Sequence, residues 1–253
     1  MDNIIKPCKS VDVFFNTKYR IYRDGTYSAV YSSRPIFKSS CYERINKVYS
    51  IQKGTIHEPL IRNNFDNILK AKRNIFDIAR QNDFDLFITF TLDKLLVDRY
   101  SPKDACRVLR NFLSNKVKRN NLIYLIIPEY HKDKAIHFHG FIKGKNIDLI
   151  DSGLKTENNQ TIYNMSQWNY GFSTAVKMDY NRIKCSNYIT KYVTKQSKKI
   201  MGKWYFAGGK GLIRKAELKF ADTDFSSIDA KNYMIPFQKV QLKYEDSNKI
   251  ISL

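Results

Sequence analysis

Residues 122–142 read LIYLIIPEYHKDKAIHFHGFI, and this stretch decides the fold. It contains two short apolar runs, Leu122–Pro128 and Ala135–Ile142, joined by the polar loop Tyr130–Lys134. Apolar runs of this length, rich in β-branched and aromatic residues and bounded by polar ones, are typical of buried strands. The stretch therefore predicts two neighbouring strands that pair as a hairpin.

Further strands are predicted on both sides of this pair. Leu86–Leu92 and Gly171–Met178 have the same apolar and β-branched character. Residues 11–37 alternate between apolar and polar types around Asp24-Gly25, a dipeptide that favours a tight hairpin turn. Residues 151–168 are polar and rich in asparagine, which predicts a loop.

Three segments carry apolar residues at helical spacing. They begin at Pro59, after the capping pair Ser101-Pro102, and at Arg182, and the first and last end near Gln81 and Gln196. Strands grouped together with two or three helices are typical of an α+β fold, an antiparallel sheet with helices packed on it. We expect a single domain over residues 1–253.

The composition indicates a polyanionic partner. The 253 residues include 44 Lys and Arg against 24 Asp and Glu, a net charge of +20, and 14% are aromatic. Such an excess favours nucleic acid over an acidic membrane surface as the partner. The longest apolar runs are far shorter than a membrane span of ~20 residues, so we expect a cytoplasmic protein.

The run AIHFHGFI places two histidines one residue apart. Because side chains alternate along a strand, His137 and His139 share one face, and Phe138 points to the other. Glu129 ends the preceding strand and lies beside them if the strands pair. Two imidazoles and a carboxylate are a plausible divalent-metal site. The alternative is that each histidine is an ordinary core or surface residue.

The segment YITKYVTK, residues 188–195, repeats the pattern tyrosine–aliphatic–threonine–lysine. On a helix the two tyrosines and two lysines fall within one arc of about 100°. Lysine beside a phenol favours phenolate and attracts phosphate. The alternative is a simple amphipathic helix, with tyrosine at the rim of the core and lysine in solvent.

Together these motifs resemble the HUH endonucleases, specifically the replication initiators of rolling-circle plasmids and single-stranded DNA phages. HFHG at 137–140 is similar to their metal motif, and Glu129 stands where that superfamily often has its third metal ligand. Residues 188–195 look like the helix of the two-tyrosine initiators, and TFTLD at 89–93 like their first motif. The resemblance covers roughly residues 85–196.

The resemblance implies a ferredoxin-like, or RRM-like, antiparallel sheet with a metal on its central strands. His137, His139 and Glu129 would hold Mg²⁺ or Mn²⁺ at the scissile phosphate. The partner would be single-stranded DNA at a stem-loop origin in a bacterial cell, with a host helicase as a further partner. A phosphate-binding G-x-x-x-x-G-K-[ST] motif is absent, so we expect no fused helicase domain.

The resemblance also assigns the tyrosine helix. Tyr188 would attack as the nucleophile to form a 5′-phosphotyrosine link, and Tyr192 would serve a second transfer. Lys191 and Lys195 would stabilise phenolate or phosphate charge. Further DNA contacts are expected from four residues: Arg182, Lys184, Trp168 and Trp204.

Two other functions remain open on the sequence. A transposase of the single-tyrosine HUH type also has its tyrosine downstream of the histidines, although such proteins are shorter and lack the second Y-x-x-K unit. A basic, non-catalytic DNA-binding repressor would need neither the metal site nor the phenols.

Overall fold

The computed structural model describes residues 14–37, 58–178, 182–194, 198–221, 231–235 and 238–246. Backbone contacts divide the chain into two units, one of residues 63–215 and one of the flanking segments 1–62 and 216–253. The prediction of a single domain over the whole chain stays a prediction.

Twelve strands and three helices lie within the described residues. The strands are β1 (Phe14–Ile21), β2 (Thr26–Phe37), β3 (Leu86–Phe90), β4 (Ile123–Tyr130), β5 (Ile136–Lys143), β6 (Leu149–Lys155), β7 (Thr161–Met165), β8 (Ser173–Lys177), β9 (Phe206–Gly208), β10 (Glu217–Ala221), β11 (Lys231–Ile235) and β12 (Gln238–Asp246). The helices are α1 (Glu58–Gln81), α2 (Pro102–Asn120) and α3 (Arg182–Thr194).

The flanking unit contains a five-stranded antiparallel sheet in the order β10-β1-β2-β12-β11. Its first two strands form the hairpin that Asp24-Gly25 predicts. Gly25 has φ 79°, which glycine adopts without strain, and the Asp24 carboxylate accepts a hydrogen bond from the Thr26 amide at 3.2 Å. The C-terminal strands were not predicted.

The larger unit is built on a seven-stranded sheet in the order β6-β7-β8-β3-β5-β4-β9. All its paired strands are antiparallel. Strands β3 and β4 lie on either side of β5 and are joined through α2, a split β-α-β arrangement. The prediction of an α+β fold with a large antiparallel sheet and packed helices is confirmed, and this arrangement is consistent with an RRM-like HUH fold.

Helices cover both faces of this sheet. Ile88, Phe138 and Ile142 lie in one apolar cluster with Leu109 and Phe112 of α2. The opposite cluster joins the alternate strand positions to α1 and α3. It includes Leu125, Ile127, Phe141, Ile75, Ile78, Ile189 and Val193. The period-2 alternation of the strands therefore sorts each residue to one of two cores.

The helix boundaries follow local chemistry. Ser101 caps α2 by accepting a hydrogen bond from the Asp104 amide at 3.3 Å, and Pro102 occupies the first turn, as the sequence predicts. Asn121 ends α2 in the left-handed region with φ 49°. Among the described helices, none combines the length and the apolar character that a bilayer span requires.

The prediction of a loop over residues 151–168 is wrong, because this segment holds the β6–β7 hairpin. The two strands meet at a turn in which Asn159 has φ 61° and the Thr156 amide donates to the Gln160 carbonyl at 2.8 Å. The hairpin lies at the edge of the sheet, and most side chains of β6 are exposed. An edge strand with little burial has little apolar pattern, so its sequence resembled a loop.

Gly140 lets β4 and β5 approach closely. A methyl group at this position would overlap the Leu125 carbonyl oxygen and lie 2.9 Å from the Ile126 Cα. We therefore expect Gly140→Ala to lower the free energy of unfolding by about 1–3 kcal/mol, measured by urea denaturation. Lys155→Ala, at an exposed position of β6, is the control and should unfold like the parent protein. Equal midpoints for both variants would contradict the close packing.

Candidate functional site

The β4–β5 hairpin brings the predicted metal ligands to one face. Glu129 is paired with His137, and Ile127 with His139. Phe138, between the two histidines, is fully buried in the opposite core. The strand alternation thus presents both imidazoles and the Glu129 carboxylate on the face that α3 covers.

The His139 ring is held at both of its nitrogens. Its Nε2 lies 3.0 Å from the Oε2 of Glu129, and both side chains are largely buried, with 14% and 13% exposed. Its Nδ1 shares a hydrogen bond of 3.0 Å with the hydroxyl of Thr89, the residue opposite it on β3. Thr89 belongs to the TFTLD segment, so the resemblance pointed to this strand, but Thr89 was not predicted as a site residue.

His137 has a different environment. Its ring stacks on that of His131, with centroids 4.7 Å apart and planes 12° from parallel. His131 in turn has its Nδ1 3.3 Å from the Oδ1 of Asp133. Burial lowers the pKa of His137, and the nearby imidazoles of His131 and His139 lower it further. The neutral form, which binds metals, is therefore favoured.

His131 and Asp133 were missed because the sequence showed only a polar loop between two strands. A histidine six residues before another carries no periodic signal. The contact arises because the hairpin turn folds His131 back over β5, where the His131 amide donates to the Ala135 carbonyl at 2.8 Å.

The donor set fits a divalent cation by its chemistry. Imidazole nitrogens and a carboxylate suit ions such as Mn²⁺, and the carboxylate also suits Mg²⁺. Within the described residues, no three His, Cys, Asp or Glu side chains are arranged as a ready metal site. Glu129 instead lies against His139. Metal binding by Glu129, His137 and His139 therefore stays a prediction.

Helix α3 places Tyr192 directly on this group. The Tyr192 ring stacks on that of His139 with centroids 4.1 Å apart and planes 13° from parallel. Only 7% of Tyr192 is exposed, and its hydroxyl donates a hydrogen bond of 2.9 Å to the hydroxyl of Tyr188. Burial raises the pKa of Tyr192, and so do the hydrogen bond and the neighbouring Glu129.

Tyr188 is the exposed member of the pair, with 43% of its surface accessible. The edge of its ring meets Phe87 of β3 at 5.5 Å, and the Nζ of Lys191 lies 5.1 Å from its ring centroid. The helix therefore brings Tyr188, Tyr192 and Lys191 together beside Glu129 and His139. Lys195, the fourth predicted member, lies outside the described residues.

The expected base-stacking role of the two tryptophans is corrected by their burial. Trp168 is 4% exposed, stacks on Phe90 at 4.3 Å and donates its indole N–H to the Thr91 carbonyl at 3.0 Å. Trp204 is 7% exposed within the core under α3. Rings so deeply packed have no open face for a base. Lys184 is exposed on α3, and the Arg182 side chain lies outside the described set.

The stack of His131 on His137 predicts a measurable titration. His131→Ala removes a neighbouring positive charge and part of the cover over His137, so the pKa of His137 should rise toward its ordinary value. The measurement is the pH dependence of the histidine Cε1–H signals by NMR in metal-free protein. Lys132→Ala is the matched control in the same loop. A pKa of His137 equal in both variants would contradict the stacking.

Comparison with known proteins agrees with the position of this site. No match was found among curated proteins or among solved structures. Residues 85–197, just under half of the chain, match the model of a replication-associated protein family, that of the ORF2 and gene 2 proteins. This segment runs from β3 through α3 and includes the whole hairpin and both tyrosines. The match is consistent with a rolling-circle replication protein, and it supports a replication initiator role with DNA at an origin as the partner.

Proposed function

We propose that this protein initiates rolling-circle replication by nicking and rejoining single-stranded origin DNA through a covalent tyrosine link. One observation carries the proposal: the two phenols of α3 lie against the Glu129–His139 pair of the hairpin, with Tyr192 stacked on His139 at 4.1 Å. A nucleophile beside potential metal ligands is what phosphodiester transfer requires. The family match over the same residues supports the choice of substrate.

Tyr188 is the better first nucleophile of the two. It is exposed, whereas Tyr192 is buried and has a raised pKa. The Tyr192 hydroxyl donates to the Tyr188 oxygen, which stabilises the negative charge that develops there during attack. Lys191, 5.1 Å from the Tyr188 ring centroid, adds positive charge on the same side. Tyr192 is left to act in the second transfer.

The proposed reaction conserves the energy of the phosphodiester. The Tyr188 oxygen loses its proton to solvent and bonds to phosphorus, while the bond between phosphorus and the 3′ oxygen breaks. The 3′ oxygen takes up a proton and leaves as a free 3′-OH, and the 5′ phosphate stays on the tyrosine. Attack by a 3′-OH on this link reverses the same exchange, so the site can rejoin strands.

Glu129, His137 and His139 are the residues proposed to hold Mg²⁺ or Mn²⁺. Such an ion, when bound, neutralises and polarises the scissile phosphate. Thr89 fixes the orientation of His139 through its Nδ1 and so directs the other nitrogen toward the open side of the strand pair. Tyr192 covers one face of the same ring and excludes water from it.

Removal of each phenol tests the assignment. With single-stranded oligonucleotides that span a stem-loop origin, Tyr188→Phe should abolish the covalent DNA adduct. Tyr192→Phe should keep the adduct but slow it by about tenfold, the worth of one lost hydrogen bond of roughly 1 kcal/mol. Tyr163→Phe, on β7 away from the site, is the matched control and should react normally. Mass spectrometry of the adduct identifies the linked residue.

Three results would contradict the proposal or its assignment. DNA binding without cleavage in both Mg²⁺ and Mn²⁺ would indicate the repressor. Cleavage only at hairpin-flanked ends, and not at an origin, would indicate the transposase. An adduct that persists in Tyr188→Phe and maps to Tyr192 would reverse the roles of the two tyrosines.

The orientation of His139 predicts a change in metal affinity. Thr89→Val keeps the shape of the side chain but removes the hydrogen bond to Nδ1, so the dissociation constant for Mn²⁺ should rise by about 10-fold or more. Isothermal titration calorimetry measures this without DNA. Thr161→Val on β7 is the control and should bind Mn²⁺ like the parent. Unchanged affinity in Thr89→Val would remove His139 from the proposed ligands.

A further inference from the structure

A basic cavity lies at the β9 edge of the seven-stranded sheet. Strand β9 pairs with β4, with Phe206 opposite Ile126 and Gly208 opposite Tyr124. The segments before and after β9 enclose an open cavity of about 440 Å³. Its wall includes Lys199, Lys203, Arg214, Tyr124, Trp204 and Tyr205.

The cavity has the charge of an anion site. Three of its lining side chains are cationic, and no acidic residue of the described chain lines it. Residues 198–216 contain six Lys and Arg and no Asp or Glu. Arg214 donates from its Nη2 to the Ala207 carbonyl at 2.7 Å, which fixes one part of its guanidinium against the backbone of β9. The remaining donors of its planar fork suit a phosphate.

Trp204 adds a hydrogen-bond donor that lacks an acceptor. Its indole Nε1 is buried and has no hydrogen-bond partner within the described residues. The other tryptophan, Trp168, bonds its N–H to the Thr91 carbonyl. A buried donor without a partner costs about 1–3 kcal/mol. An oxygen-rich ligand at this wall would recover that cost.

The cavity lies along the strand that carries the candidate site. Glu129 is three residues beyond Ile126 on β4, about 10 Å at ~3.3 Å per residue. Trp204 belongs to the same apolar cluster as Tyr192. At ~3.4 Å per stacked nucleotide, about three nucleotides cover this distance. One DNA strand can therefore reach both places.

We propose that this cavity binds a backbone phosphate of the single strand on which Tyr188 acts. Lys199, Lys203 and Arg214 neutralise the phosphate, and the indole N–H of Trp204 donates to one of its oxygens. Trp204 thus meets DNA through its N–H and not through its ring face. The choice of DNA as the source of the phosphate rests on the proposed function.

The two tryptophans allow a direct test by NMR. Protein labelled with ¹⁵N at the indole nitrogen gives two N–H signals, assigned with Trp168→Phe and Trp204→Phe. On addition of the oligonucleotide dT20, the Trp204 signal should move and the Trp168 signal should stay. A dT20 with uncharged methylphosphonate linkages should move neither. A Trp204 signal that is static at saturation, or that moves equally with both oligonucleotides, would overturn the inference.

A charge-removal pair gives an independent measurement. Lys199→Ala/Lys203→Ala should weaken dT20 binding by roughly tenfold and lower the slope of log affinity against log salt by about 0.7, the value for one phosphate of a single strand. Lys103→Ala/Lys155→Ala removes the same charge from exposed positions elsewhere in the 63–215 unit and should change the affinity less than about twofold. Equal losses in both variants would show that net charge alone binds the DNA.

These measurements do not depend on cleavage, so the two proposals can fail separately. A shift of the Trp204 signal without any nicking would support the cavity and contradict the enzyme. Nicking with an unmoved Trp204 signal and normal dT20 affinity in the lysine variant would support the enzyme and overturn the cavity.

Discussion

The pairing of β4 with β5 is the constraint on which the site depends. Its register sets Glu129 opposite His137 and Ile127 opposite His139. A slip of one residue would turn both imidazoles into the core beneath α2 and expose Phe138. Phe138, buried between Ile88, Leu109 and their neighbours, makes that slip unfavourable. Apolar packing on one face of the hairpin therefore holds the polar chemistry on the other.

Much of the central fold could be predicted because its signals are local. The apolar runs gave the central strands, and Ser101-Pro102 gave the start of α2. Alternation alone placed His137 and His139 on one face. The β6–β7 hairpin escaped because edge strands bury little, and Thr89 and His131 because their contacts depend on pairing between distant segments. Such contacts leave no periodic trace in the sequence.

The doubled tyrosine motif illustrates the same limit. Its two halves look equivalent in sequence, yet Tyr188 is exposed and Tyr192 is buried. Four residues of helix turn through about 400°, so the second tyrosine lies about 40° around the axis from the first. That rotation carries Tyr192 toward the sheet beside Val193 and leaves Tyr188 at the rim. Two identical side chains thereby acquire different acidities and different access to a substrate.

The enclosure of His139 gives the site a direction. One face of its ring is covered by Tyr192, and its nitrogens meet Glu129 and Thr89. Within the described residues, the less enclosed imidazole is that of His137, toward the tip of the hairpin. A chain molecule laid across this surface would meet the hairpin tip before it met the tyrosine helix. The two ends of such a strand are then no longer interchangeable, which is the asymmetry that an enzyme needs to leave one particular end attached to itself.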